Sequence, residues 1–143
     1  MKVHSWVSQS KSTLLRYECD LCFEKNKIRL DKYVTYNGNA AIDKPIGEKK
    51  LVIESYELDK FIRNIKKLLF RCLCYGKSHK IVFKTFSNRT WIFSYSDNGI
   101  DSYVYIYSVL ARISGAMEIL RMKSDIPELL IGLNKIKDMI DGN

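Results

Sequence analysis

The chain has 143 residues, 46% of them hydrophobic, with only two prolines and seven glycines. That is the size of one domain, 1–143, with an adequate core, and the composition argues against long disordered segments. No stretch approaches about 18 uninterrupted apolar residues, which excludes a membrane-spanning helix, and the net charge of +8 points toward anionic partners.

Residues 1–18 hold no apolar run of signal-peptide length, and four cysteines in such a chain read as reduced thiols. The expectation is a soluble, cytoplasmic protein. Val3 to Ser8 supplies a first strand. Leu15, Tyr17, Cys19, Leu21 and Phe23 then alternate with Arg16, Glu18, Asp20 and Cys22, the period-two pattern of a strand with one buried face. Lys25-Asn26 makes a turn, and Ile28, Leu30, Val34 and Tyr36 continue as a strand whose phase is less clean at Lys32 and Tyr33. Residues 37–48 hold turn formers and read as a loop. Leu51 to Glu54 is a short strand, followed by Ser55 as a helix N-cap with Glu57 and Asp59 in the first turn, where the helix dipole favours acids.

That helix is predicted to close near Tyr75-Gly76. Strands follow at Lys80 to Phe86 and Thr90 to Ser96. Asp97-Asn98-Gly99 then signals a hairpin to Ser102–Val109, and a last strand is predicted over Ala116 to Met122. Asp125-Ile126-Pro127-Glu128 reads as a capping box, opening a helix to about Ile140 that stops at Gly142. The two helices carry nearly the same apolar code: Leu58, Phe61, Ile62, Ile65, Leu68, Leu69 and Cys72 against Ile126, Leu129, Leu130, Leu133, Ile136, Met139 and Ile140. Each is an amphipathic helix with one buried stripe. The chain therefore reads as α+β, with antiparallel β-sheets and two helices, strands then helix repeated twice, each helix packing on the sheet before it.

No residue constellation spells out a reaction. Cys19-Asp20-Leu21-Cys22 with Cys72 and Cys74 offers four zinc ligands. The first pair, however, lies in an alternating strand without the turn a metal knuckle needs, so free buried thiols are the expected state and no metal or cofactor is assigned. His4 and His79 have no partner at a catalytic spacing, and no catalytic residue is assigned. A small nuclease built from His79 with Lys77, Lys80 or Tyr75 is the least favoured reading.

Two surfaces stand out. Lys60, Arg63, Lys66, Lys67, Arg71, Lys77, Lys80 and Lys84 form a run with no intervening acid, suited to nucleic acid or to an acidic protein. If Asn98-Gly99 forms a two-residue turn, Ser96 faces Asp101, Ser94 faces Tyr103 and Ile92 faces Tyr105. Tyr103, Tyr105 and Tyr107 then share a face with serines, opposite the better core of Trp91, Phe93, Tyr95, Val104 and Ile106. Such a row stacks bases or anchors a protein interface; a turn one residue longer would flip it.

The order four strands, helix, four strands, helix resembles the Whirly fold of single-stranded DNA-binding proteins. The KGKAAL signature of those proteins is missing, so their DNA-binding residues do not carry over. Over residues 55–141, Leu58-x-x-Phe61, the Trp91 strand, Asp97-Asn98-Gly99, an alternating strand and a closing amphipathic helix are similar to small bacterial immunity proteins. These include the WapI-type group and the Whirly-like immunity proteins of contact-dependent growth inhibition. That resemblance implies a non-enzymatic partner of a cognate toxin, such as a nuclease, whose active site it occludes. Immunity proteins against nucleases are often acidic and this chain is basic, so the contact is expected to use Asp97, Asp101 and Glu118 with the tyrosines, or to meet an acidic toxin surface. The second reading is a Whirly-like nucleic-acid-binding protein using residues 60–84; no membrane partner is expected.

Overall fold

The computed structural model describes residues 1–9, 15–36, 47–75, 79–84, 90–97, 102–110, 113–119 and 125–142. The strands β1 (Lys2–Gln9), β2 (Leu15–Glu24), β3 (Lys27–Tyr36) and β4 (Gly47–Glu54) precede helix α1 (Leu58–Tyr75). Strands β5 (His79–Lys84), β6 (Thr90–Asp97), β7 (Ser102–Leu110) and β8 (Ile113–Ile119) precede helix α2 (Asp125–Asp141). Each quartet is an antiparallel meander, β1-β2-β3-β4 forming sheet A and β5-β6-β7-β8 forming sheet B. The fold is α+β, with the strands-then-helix unit used twice.

The alternation in β2 becomes burial, with Cys19 and Leu21 fully inside while Glu18 is exposed. Glu24 pairs with Lys27 across a two-residue turn in which Lys25 and Asn26 have φ of 52° and 62°. Two positive φ values give the twist that antiparallel strands need. The phase then runs unbroken through β3, so Lys32 sits on the inner face with Ile28 and Leu30 and is buried, its ammonium 4.3 Å above the Tyr17 ring. The sequence pattern blurs there because a lysine occupies a core position.

Several boundaries differ from expectation. Sheet A gains length at Gly47, inside the expected loop; residues 37–46 lie outside the described part. Ser55 is not the cap: a 3-10 turn, Ser55–Glu57, intervenes, and Glu57 reaches back so that its Oε1 accepts the Glu54 N–H at 3.0 Å. The last strand begins at Ile113, not Ala116. Its expected end at residues 120–122, like residues 85–86 after β5, lies outside the described part. Asp125 is already helical, one position into α2.

The larger correction concerns the helices. Each crosses to the other sheet: α1 lies against β5 and β6, and α2 against β1 and β2. Phe61 of α1 packs in T-shaped contacts with Trp91 and Phe93 at centroid distances of 5.3 and 4.9 Å, and Gly132 of α2 lets Leu21 and His4 approach closely. An amphipathic stripe specifies that one helix face is buried but not which sheet buries it, and here the aromatic inner face of sheet B takes Phe61. The crossing joins the buried residues of both halves into one core from Trp6 to Ile136.

Each crossing is fastened by a tryptophan. The chain has two. Trp91 donates its indole N–H to Glu57 Oε2 at 2.8 Å, and Trp6 donates to Asp125 Oδ1 at 3.0 Å. Glu57 and Asp125 are each only 1% exposed and sit at the start of a helix. Carboxylates in that position face the positive end of the helix dipole, and a buried one needs such a donor to offset its lost hydration.

Candidate binding faces

Trp91, Phe93, Tyr95 and Ile106 are buried on the inner face of sheet B, so the alternate positions form its outer face. The β6–β7 register is Asp97 to Ser102, Ser96 to Tyr103, Ser94 to Tyr105 and Ile92 to Tyr107. It is shifted by two residues from the two-residue-turn expectation, since Asp97, the last residue of β6, pairs with Ser102, the first of β7. An even shift keeps every residue on its expected face. Positions 103, 105 and 107 therefore share the outer face with Ser96, Ser94 and Ile92.

One cross-strand row reads Lys80, Ser94, Tyr105, Glu118, and the next reads Val82, Ile92, Tyr107, Ala116. Val82 is 57% exposed, Lys80 is exposed, and Ile92 and Ser94 are half-buried. The side chains of Lys84, Asp97, Tyr103, Tyr105, Tyr107 and Glu118 lie outside the described part; their backbones are placed by the ladder. Asp97 falls in the phase of Tyr95 and does not share the face of the tyrosines and Glu118. Asp101 lies outside the described residues.

The basic run divides. Lys60, Arg63, Lys66 and Lys67 are exposed on α1 with Arg71 half-buried, whereas Lys80 and position 84 belong to the outer face of sheet B. Since α1 covers the inner face of that sheet, the helix surface and the sheet surface look in opposite directions. Lys77 lies outside the described residues. The helix surface also carries Tyr56 at 55% and Phe70 at 63% exposure. Tyr56 precedes α1 in the 3-10 turn, while Phe70 lies seven residues after Arg63 on the polar arc of α1 opposite Phe61, Ile65 and Leu68, a spacing visible in the sequence. Asp59, the acid on that arc, is held by Lys137 of α2 at 3.0 Å, and this bond raises the Lys137 pKa above its ordinary value.

The outer face of sheet A is built differently. Ser5 Oγ donates to Asp20 at 2.7 Å, Lys2 pairs with Asp20 at 3.5 Å, Arg16 with Glu18 at 3.4 Å, and Arg29 Nε with Asp31 at 3.0 Å. A shallow depression there is lined by Cys22, Glu24, Lys25, Lys27, Arg29 and Val52.

Cys19 faces inward and Cys22 outward on β2, so this C-x-x-C pair cannot grip one ion as a knuckle does. Burial, reinforced by the charge of Asp125, pushes the Cys19 thiol up to about 12. Among the described residues no three or more of His, Cys, Asp and Glu gather to hold a metal. His4 is mostly buried against Trp6, its Nε2 2.6 Å from Glu128 and its Nδ1 3.4 Å from Lys135 Nζ. It ties β1 to α2. The side chain of His79 lies outside the described part.

Chemically, these surfaces offer a row of tyrosine positions on sheet B and a cationic stripe on α1. No family model matches the chain, and no curated protein matches it.

Proposed function

We propose that the protein is a non-enzymatic binding protein that neutralises a toxin domain by covering its active site, gripping it with the outer face of sheet B. The observation that carries this reading is the register that aligns positions 103, 105 and 107 on one face, with Lys80 and Glu118 at opposite ends of the Tyr105 row. A tyrosine row gives a partner large, stiff contact area with a polar tip, at low cost in side-chain entropy. Opposite charges at the two ends orient that partner, and exposed Val82 adds apolar area beside them. That the partner is a toxin rests on the likeness of residues 55–141 to bacterial immunity proteins.

The test is co-expression with the product encoded immediately upstream. The proposal expects the two proteins to co-purify and cells making that product to survive. It expects Tyr103→Ala with Tyr105→Ala to weaken the complex at least tenfold, as loss of interface anchors does. Absence of both complex and protection removes the reading.

A further inference from the structure

We infer that the exposed face of α1 is a second binding surface, for single-stranded nucleic acid, independent of the sheet B face and of the toxin reading. Arg63, Lys66 and Lys67 are exposed along one arc with Lys60, and the acid of that arc, Asp59, is neutralised by Lys137. Phe70 stands among these cations 63% exposed, and Tyr56 stands near the other end at 55%. A solvated helix face has no need of two large aromatics. The core is built by Phe61, Ile65 and Leu68, while these two rings keep more than half of their surface in solvent.

Cations alone would suit any polyanion. Aromatic rings flanking them select one whose bases are free to stack, because paired bases do not offer their faces. At about 2.0 Å per residue in the 3-10 turn and about 1.5 Å in α1, Tyr56 and Phe70 stand roughly 20 Å apart, a span that accommodates several nucleotides of extended strand. The cations between them would follow the phosphates. The opposed orientation of this face and the outer face of sheet B leaves both free at once.

The experiment is fluorescence anisotropy with labelled oligouridylate, oligodeoxythymidylate and a duplex of equal length. If four cations each meet a phosphate, the slope of about −0.7 per contact predicts a loss of roughly 50-fold in affinity between about 50 and about 200 mM salt. The variant Arg63→Glu, Lys66→Glu, Lys67→Glu leaves one contact and should flatten that loss to roughly threefold. Phe70→Ala should weaken binding about tenfold with the salt slope unchanged. Tighter binding of the RNA than of the DNA strand, or the reverse, identifies which polymer the face serves. No binding of either strand at the lower salt, tighter binding of the duplex, or indifference to both variants overturns the inference. Since all four substituted side chains are exposed or half-exposed, thermal melting should be unchanged, and failure of the toxin partner to bind would leave these outcomes untouched.

Discussion

The outer faces of the two sheets solve the same problem in opposite ways. Sheet A neutralises its charges within itself, Asp20 taking Ser5 and Lys2, and Asp31 taking Arg29. Sheet B sets tyrosine positions beside Ser96, Ser94 and Ile92, with exposed Val82 alongside and charged positions at row ends, 80 and 118 in one row and 84 in another. A face whose charges are already satisfied gains little from a partner, whereas hydroxyl-bearing aromatics gain by desolvation. The inner faces, in contrast, are alike. Each receives the helix from the other half, and each ties a tryptophan to a buried helix-start carboxylate. Shared inner architecture with divergent outer surfaces is what one plan put to different uses would show.

Glu57→Ala should give the largest effect, because it removes the acceptor of the buried Trp91 indole N–H and of the part-buried Glu54 N–H. Loss of about 3 kcal/mol in urea unfolding is expected; less than about 1 kcal/mol would mean that the carboxylate does not hold the crossing. Trp6→Phe tests the equivalent tie in the other half by removing the donor to Asp125 Oδ1, at an expected cost of about 2 kcal/mol. A negligible effect there would break the likeness of the two halves.

Gly132→Ala probes how closely α2 docks on sheet A. The added methyl would lie 2.6 Å from Leu21 Cδ2 and 3.0 Å from His4 Cβ. Overpacking of about 2 kcal/mol, less about 1 kcal/mol gained in helix propensity, leaves a net loss of about 1 kcal/mol. A stabilised variant would show a looser helix.

The smallest effect concerns the cysteines on the two sides of β2. At about pH 8, alkylation read by peptide mass spectrometry should label Cys22 and leave Cys19 unmodified until the protein unfolds. Because the folded form holds the Cys19 proton up to about 12, against 9.0 for the free thiol, its contribution to stability is intact below pH 9.0. It declines as pH rises from there toward 12, where only the unfolded chain has released the proton. Equal labelling of both thiols in the folded protein would contradict the placement of Cys19.

Much of this organisation was legible in the sequence. Alternation placed Cys19 and Leu21 inside, and the repeated apolar stripe located both helices, although Ile140, at its end, is 38% exposed. Even the misjudged β6–β7 register left the faces right, because side-chain direction depends only on the parity of the shift. The crossing of the helices was not legible, since periodicity carries no information about the partner surface. Nor were the tryptophan ties: Glu57 and Asp125 look like routine acids in a first helical turn, and only the fold brings Trp91 and Trp6 to them. Phe70 was obscured by its neighbours Leu68 and Leu69, whose burial it does not share. The basic run looked continuous because sequence proximity across α1 and β5 hid the reversal of direction between a helix and the far side of the sheet it covers.

The two outer faces can be set directly against each other by titrating the upstream-encoded product with the wild-type protein and two variants. One carries Lys80→Glu with Tyr105→Ala on sheet B, and the other carries Val7→Ser with Glu18→Ala on the exposed side of sheet A. The sheet B variant is expected to need at least about tenfold more protein for half-neutralisation, and the sheet A variant to stay within about twofold of wild type. Equal effects, or a loss confined to the sheet A variant, would contradict the assignment of partner binding to sheet B.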